Sequence, residues 1–273
     1  QLTGYNLETG ITVHVGAQIQ EAGSCVMPAR LFFDIVRKLP DEMVSITVDH
    51  KQQVSIRAGA AFFQITAMDS EDYPELPDVN GKSGVTMPQS ALKAMISGTI
   101  FSVSENQARP IQTGCLMEVT EDSVPMVAVD SFRLARRTWH TENAANHTLK
   151  FVVPAAGLKE IERILEDSDE PVTFTLGDKH ILFSIGDALL VSRVLEGEFI
   201  DWRRVVPTNC GTVLTANVAE LTSSIERVSL IISEKVKSPV RCVFGDNMAD
   251  FRTANTIGSA HDTCSIAGNG GEP

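Results

Sequence analysis

The chain has 273 residues, 43% of them apolar and 21% charged, an ordinary globular composition whose length suits one large domain or two to three small ones. No run of 18 apolar residues is present, which excludes a transmembrane helix, and no basic-then-apolar leader opens the chain. A formal charge of −12 argues against a surface that grips nucleic acid everywhere, because phosphate binding needs Lys and Arg to displace counterions; a local neutral or basic face is still open to it.

Gln1 opens in what reads as mid-strand, so the start of a module is expected ahead of it. Apolar periodicity predicts helices over 28–39, 88–100, 155–166 and 217–231. Most of the remainder reads as strands. Val44–Val48, Val172–Leu176 and Val240–Phe244 alternate or are β-branched, and Gly177-Asp178 and Gly245-Asp246-Asn247 separate strands as turns. Gly268-Asn-Gly-Gly271 reads as a hairpin turn, since it opens no helix. Cys25, Cys115, Cys210, Cys242 and Cys264 form no CxxC pair and read as reduced thiols of a cytosolic protein.

These segments repeat. Val26-Met-Pro28-Ala29 and Val152-Val-Pro154-Ala155 both lead into helices, and Pro is tolerated at a first turn because its missing N–H has no partner there. Phe32, Ile35 and Leu39 in one helix match Leu158, Ile161 and Leu165 in the other, each pair 126 residues apart. Each trio forms one apolar stripe that must pack on a sheet. Ile46–Lys51 matches Phe174–Lys179, and Glu71-Asp-Tyr-Pro74 matches Gly197-Glu-Phe-Ile200. Val85–Pro88, Leu92 and Ser104-Glu105 parallel Val213–Ala216, Leu221 and Ser233-Glu234. A period of 126–129 residues is too long for a solenoid and indicates tandem duplicated domains, each with two strand–helix–strands passages. The expected domains are 1–79 (front half missing), 80–209 (complete) and 210–273 (rear half missing).

The chemistry-bearing patterns are sparse. GxGxxG, the P-loop, GxSxG and HExxH are all absent, so the sequence nominates no catalytic residue, cofactor or metal ligand. Glu118/Glu121 and Asp167/Asp169 read as solvated carboxylates. Asp130-Ser131 stands out as a turn inside the apolar run Val127–Leu134. It is either a plain hairpin corner capped by Asp130 or the edge of a small pocket lined by Phe132 and Leu134, with Arg133 at its lip. With Asp167 counted at the end of the third, the four predicted helices sum to zero charge while the rest of the chain carries the −12. Helix faces positive relative to an acidic exterior suit weak, sequence-blind phosphate contact.

Several stretches resemble the β sliding clamps of bacterial DNA polymerase III. They are Leu2-Thr-Gly4, Pro28-Ala-Arg30 with Phe32-Phe33, Phe101-Ser102, Arg109-Pro-Ile111 with Thr113-Gly114, Ala128–Leu134, Val152-Val-Pro154, Phe199–Pro207 and Ser233-Glu-Lys235, in family order along the chain. The resemblance implies an α+β fold of three tandem clamp domains, helices inside antiparallel sheets, with two subunits closing head to tail into a homodimer ring. Twelve helices at ~9 Å spacing give a ring of ~35 Å across the helix axes, and subtracting a ~10 Å helix diameter leaves room for a duplex.

The implied function is that of a cytoplasmic, non-catalytic processivity factor of the DNA-directed DNA polymerase III holoenzyme (a nucleotidyltransferase). It would encircle double-stranded DNA without sequence preference and have no membrane partner. By resemblance, DNA faces Arg37, Lys38, Lys93, Asn106, Arg109 and Lys159. Short peptides of the polymerase α subunit, the clamp loader and other clamp-binding proteins enter a pocket between the second and third domains. Matching positions are Gln112, Val129, Ser131, Phe132, Arg133, Leu134, Ile200, Arg204 and Val205. Gln112 stands where an aliphatic residue is common in the family, and Phe132 where His is common. An apolar lining with an Arg lip suits aliphatic anchors and a carboxylate. Phe63 and Ile65 match one side of the subunit interface, Leu230 and Ile231 the other; without the resemblance all four read as core. The alternative class is a tandem-domain cytosolic enzyme with a site between repeats.

Overall fold

The structure is a computed structural model that describes residues 1–40, 42–81, 84–141, 148–233 and 238–269. The chain divides into two compact units, Gln1–Trp202 and Arg203–Pro273. Unit 1 begins with β1 (Leu2–Tyr5), β2 (Thr9–Val13), α1 (Ala29–Val36), β3 (Ser45–Val48), β4 (Gln53–Ala58) and β5 (Ala61–Thr66). It continues with β6 (Gly84–Pro88), α2 (Gln89–Ser97), β7 (Gly114–Val119), β8 (Ser123–Val129) and β9 (Leu134–His140). It closes with β10 (Leu149–Pro154), α3 (Ala155–Ile164), β11 (Pro171–Leu176), β12 (His180–Ile185) and β13 (Ala188–Arg193).

The centre of unit 1 contains two strand–helix–three-strand passages, β6-α2-β7-β8-β9 and β10-α3-β11-β12-β13. They interlock: β6 pairs antiparallel with β11, and β10 with β7, so the strand entering each helix completes the other passage's sheet. The helices α2 and α3 meet between the two sheets. Alternation along each strand fixes what each face buries. Cys115, Met117, Val119, Val124, Met126 and Ala128 turn one way, into the main core with Leu92, Leu158, Ile161, Phe174 and Phe183. Leu116, Val127, Val129 and Val152 turn the other way, into a second, smaller core with Phe199 and Trp202. β7 is therefore buried on both faces, and Glu118 with it. Glu118 corrects the reading of that residue as a solvated carboxylate: it lies 3.8 Å from Lys150, its cross-strand partner.

The passage at the front repeats the rear one. Phe32, Ile35 and Leu39 seal α1 against Val54, Ile56 and Ile65, as Leu158, Ile161 and Leu165 do for α3. Even isolated bridges correspond, Val26 with Met68 and Val152 with Leu195. β3, β4 and β5 form their own antiparallel sheet. The β1–β2 hairpin instead joins β13, so one six-stranded sheet runs from β1 to β6.

The helices sit where periodicity places them; α1, α2 and α4 are shorter at both ends, and α3 starts at the expected Ala155 but stops two residues early. Pro28, Pro88 and Pro154 lie at the N-cap with extended ψ, one position before the expected first turn, where the missing N–H is equally harmless. Among the described residues no helix is long and apolar enough to cross a membrane.

Unit 2 holds β14 (Val213–Ala216), α4 (Val218–Ser229), β15 (Arg241–Phe244), β16 (Met248–Ala254) and β17 (Ser259–Asn269). Asn217 caps α4, its Oδ1 accepting from the backbone N–H of Ala219 and Glu220 at 3.0 and 3.2 Å. The sheet order is β14-β17-β16-β15, with Val228, Ala249, Phe251, Cys264 and Ile266 as its core. β14 here pairs with the end of β17, whereas its repeat counterpart β6 pairs with the second passage. Gly268 lies within β17, not in the turn expected of it; residues 270–273 and Glu234-Lys235 lie outside the described residues.

Candidate functional site

The Asp130 turn joins β8 to β9 and is closed by one carboxylate. Asp130 Oδ1 accepts from the backbone N–H of Phe132 and of Arg133, both at 2.7 Å. Its Oδ2 accepts from Arg133 Nε and Nη2 at 3.1 and 3.0 Å. Those donors, led by the Phe132 amide, hold the Asp130 carboxyl below the usual carboxylate range. The capped hairpin corner is thus present, and it also presents side chains outward: Phe132 is 94% exposed at the tip, so it lines no cavity within unit 1. Leu134 starts β9 and is half-buried against the second core.

That core is roofed by the stretch 195–202. Leu195, Phe199 and Trp202 close over Leu116, Val127 and Val129, and Ile111 of the adjoining 110–113 turn packs beside them. Gly197 has φ +131°, a backbone conformation that side chains rarely adopt, and it lets the stretch turn down beside Ile111. Arg136 on β9 lies over the Trp202 ring, 4.7 Å from its centroid, and its Nε donates to Thr138 Oγ1 at 3.2 Å. The structure therefore gathers three segments carrying Gln112, Val129–Leu134 and Ile200 around one apolar floor. Val129 is buried, Gln112 half-buried, and Ser131 and Ile200 exposed. Arg204 and Val205 are exposed and belong to unit 2. Phe199, Trp202 and Arg136 are additions that sequence reasoning missed; the signal available was a lone Trp flanked by charges at 201–204.

The residues expected to face DNA are at the surface or half-buried. Arg37 and Lys38 follow α1 and are exposed, with the Arg37 guanidinium 5.3 Å from the Phe33 ring centroid. Lys93 is half-buried on α2, and Lys159 is exposed on α3. Asn106 and Arg109 share a loop, and Asn106 Oδ1 accepts from the Ala108 amide at 2.9 Å, so that side chain shapes its own turn.

The subunit-interface expectation needs correction on one side. Ile65 is 9% exposed and Phe63 half-buried, both turned into the core beneath α1. Strand alternation instead turns Phe62 outward, under the Arg57 guanidinium at 4.5 Å. On the other side Leu230 is 82% exposed just past α4, and Ile231 is half-buried with its carbonyl accepting from Asn255 Nδ2 at 2.8 Å.

The interlocked strand–helix–strands passages define a modular α+β protein built of antiparallel sheets with helices packed on them. The family profile "DNA polymerase III beta subunit, N-terminal domain" matches residues 1–77, and the profile of that subunit's central domain matches 86–201. A crystal structure assigned to a DNA polymerase III beta subunit from Eubacterium rectale superposes with a TM-score of 0.94 at 30% identity, over 98% of this chain and 73% of that one. The Bacillus subtilis DNA polymerase sliding clamp superposes at 0.88 with 29% identity, over 98% of this chain and 74% of its own. The beta sliding clamp of Staphylococcus epidermidis is 29% identical over 270 residues, 96% of this chain and 71% of that protein. The chain belongs to the DNA polymerase III beta subunit family, the beta sliding clamps.

Proposed function

We propose that this protein tethers a DNA polymerase by threading, not by adhesion. Beta sliding clamps are non-catalytic processivity factors of DNA polymerase III, and the chain shares their identity and fold. A closed ring cannot leave duplex DNA without opening, while weak, water-screened contacts let it slide. The charge of −12 suits this, since a strongly basic bore would brake movement. The observation that carries the reading is the repeated module itself, with helices packed on antiparallel sheets and its passages recurring along the chain.

Within that reading, 1–79, 80–209 and 210–273 are the three clamp domains, supported by the 126–129-residue period. Arg37, Lys38, Lys93, Asn106, Arg109 and Lys159 are the phosphate-facing positions, and the protein works in the cytoplasm as a head-to-tail homodimer. Leu230 and Ile231 meet the β5 edge of a second copy, which carries Phe63 and Ile65 on its inner face and Phe62 on its outer one. The apolar floor of Val129, Leu134, Phe199 and Trp202 receives short peptides from the polymerase α subunit and the clamp loader, with Gln112, Ser131, Phe132, Arg133 and Ile200 around it. The family resemblance adds Arg204 and Val205 to the peptide-binding positions.

The test is topological. Loaded onto covalently closed circular DNA, the protein stays bound through gel filtration, and cutting the circle once releases it. Equal retention before and after cutting overturns the proposal, as does turnover of a small substrate that one point change abolishes.

A further inference from the structure

We propose that Asn80-Gly81 is a self-modification site: the Gly81 backbone nitrogen attacks the Asn80 carboxamide, asparagine becomes isoaspartate, and the strap 67–81 lifts from β11. The co-reactant is water. The site lies on the stretch that leads from the β3–β5 sheet into β6.

Three observations carry it. First, Asn80 is exposed, and its side chain is tied differently from those of other asparagines. Asn6, Asn106, Asn217 and Asn255 each accept backbone N–H groups two or three residues on through Oδ1, which fixes the carboxamide in its turn. Asn80 donates from Nδ2 to Asp78 Oδ2 at 2.8 Å, and its Oδ1 holds no such amide, so its carbonyl carbon is open to attack. Second, the attacking group is free. The Gly81 N–H meets no acceptor among the described residues, and a residue without Cβ leaves the approach to its nitrogen clear. That nitrogen gives its proton to hydroxide and bonds to Cγ; the Cγ–Nδ2 bond breaks, and ammonia leaves with a proton from water. Water then opens the succinimide ring. Opening at Cγ gives aspartate; opening at the backbone carbonyl gives isoaspartate, whose main chain runs through the side-chain carbons and is one atom longer. Nothing is oxidised or reduced. Third, the strap has no room for that atom. A Cβ on Gly81 would collide with Thr175 Cγ2 and stand 2.5 Å from the Leu176 carbonyl oxygen, so the Gly81 backbone lies directly on the end of β11. Leu76 lies equally close on Gly10 of β2. The new carboxylate also joins Asp69, Glu71, Asp72, Glu75 and Asp78 on one short stretch, where like charges repel.

The test incubates the full chain at neutral pH in water labelled with heavy oxygen and follows its tryptic peptides by mass spectrometry. The peptide from Ala58 to Lys82 loses its amide at Asn80, takes up one labelled oxygen, and resolves into an isoaspartate fraction and a smaller aspartate fraction. Asn6, Asn106, Asn217 and Asn255, located by fragmentation, keep their amides over the same period. Conversion at Asn80 speeds up in proportion to hydroxide and runs as fast in the folded chain as in urea. Asn80→Gln, a change at an exposed side chain, abolishes it, because the longer side chain closes a ring far less readily. After incubation, hydrogen exchange of the 173–176 amides is faster in the unaltered protein and unchanged in Asn80→Gln. The inference is overturned if Asn80 keeps its amide in the folded chain while the urea-unfolded chain loses it, or if the four asparagines held in turns convert as fast. It is equally overturned if the converted fraction exchanges at 173–176 as slowly as the unconverted one.

Discussion

At the residue scale, several positions allow a single chemistry. Asp130 is one, because its carboxylate satisfies two backbone amides and a guanidinium at once. A carboxyl whose folded pKa is depressed contributes stability above its ordinary pKa, ~3.9 for Asp, and loses it as pH falls through the depressed value. Asp250 and Asp262, held down chiefly by Arg252 and Arg227 respectively, behave in the same way in unit 2. Hydrogen-exchange protection of the Phe132 and Arg133 amides should therefore persist from neutrality down to about pH 4 and decline below it. Asp130→Ala should remove it at every pH. Gly114 is a second such position. A Cβ there would stand 2.3 Å from the Val153 carbonyl oxygen, on the strand that β7 pairs with. Gly114→Ala should lower stability by about 1–3 kcal/mol in urea unfolding, because backbone must move to make room. The turn at Asp130-Ser131 was legible in the sequence, since that dipeptide bonds its own backbone. The need for glycine at 114 was not, because the clashing carbonyl belongs to Val153 on a distant strand.

At the scale of elements, the three caps built on proline and the one built on asparagine are unequal. Pro28, Pro88 and Pro154 make no side-chain cap bond, whereas Asn217 accepts two amides. Asn217→Ala should cost about 1 kcal/mol, the usual order for a lost cap, and should do so in unit 2 alone. Hydrogen exchange resolved by peptide would show faster exchange in 218–229 with no change in α2 or α3. Helix positions were readable from the stripe Leu158-Ile161-Leu165 and its counterpart Phe32-Ile35-Leu39, because a period of about 3.6 residues is a local property. Which way a strand faces was harder. Phe62-Phe63-Gln64-Ile65 carries apolar residues on both parities, so alternation alone could not say that Phe62 is the outer one. Strand β7 posed the same problem, being apolar throughout except for Glu118, which its buried neighbours and Lys150 hold in place.

At the scale of the whole molecule, retention on DNA and attraction to DNA are separate properties. Reversing charge at Arg37 and Lys38 together should leave end-dependent retention on closed circles intact. Loading should become less efficient, and the salt dependence of weak binding should flatten, by a log–log slope of about 0.9 for each phosphate that is no longer neutralised. Filter binding across a salt series would read this; an unchanged slope would remove both residues from the DNA face.

The sequence by itself determined the repeat, the helices, the turn at Asp130 and the family, because each depends on local residue order or on spacing along the chain. Tertiary structure alone decided how the passages interlock, since β6 finds β11 and β10 finds β7 across long stretches of chain. It also decided that Phe199 and Trp202 roof a second core, that Arg133 is already bound by Asp130, and that Ile65 points inward. These outcomes follow from which side chains exclude water together, a property of the packed chain that no single segment carries.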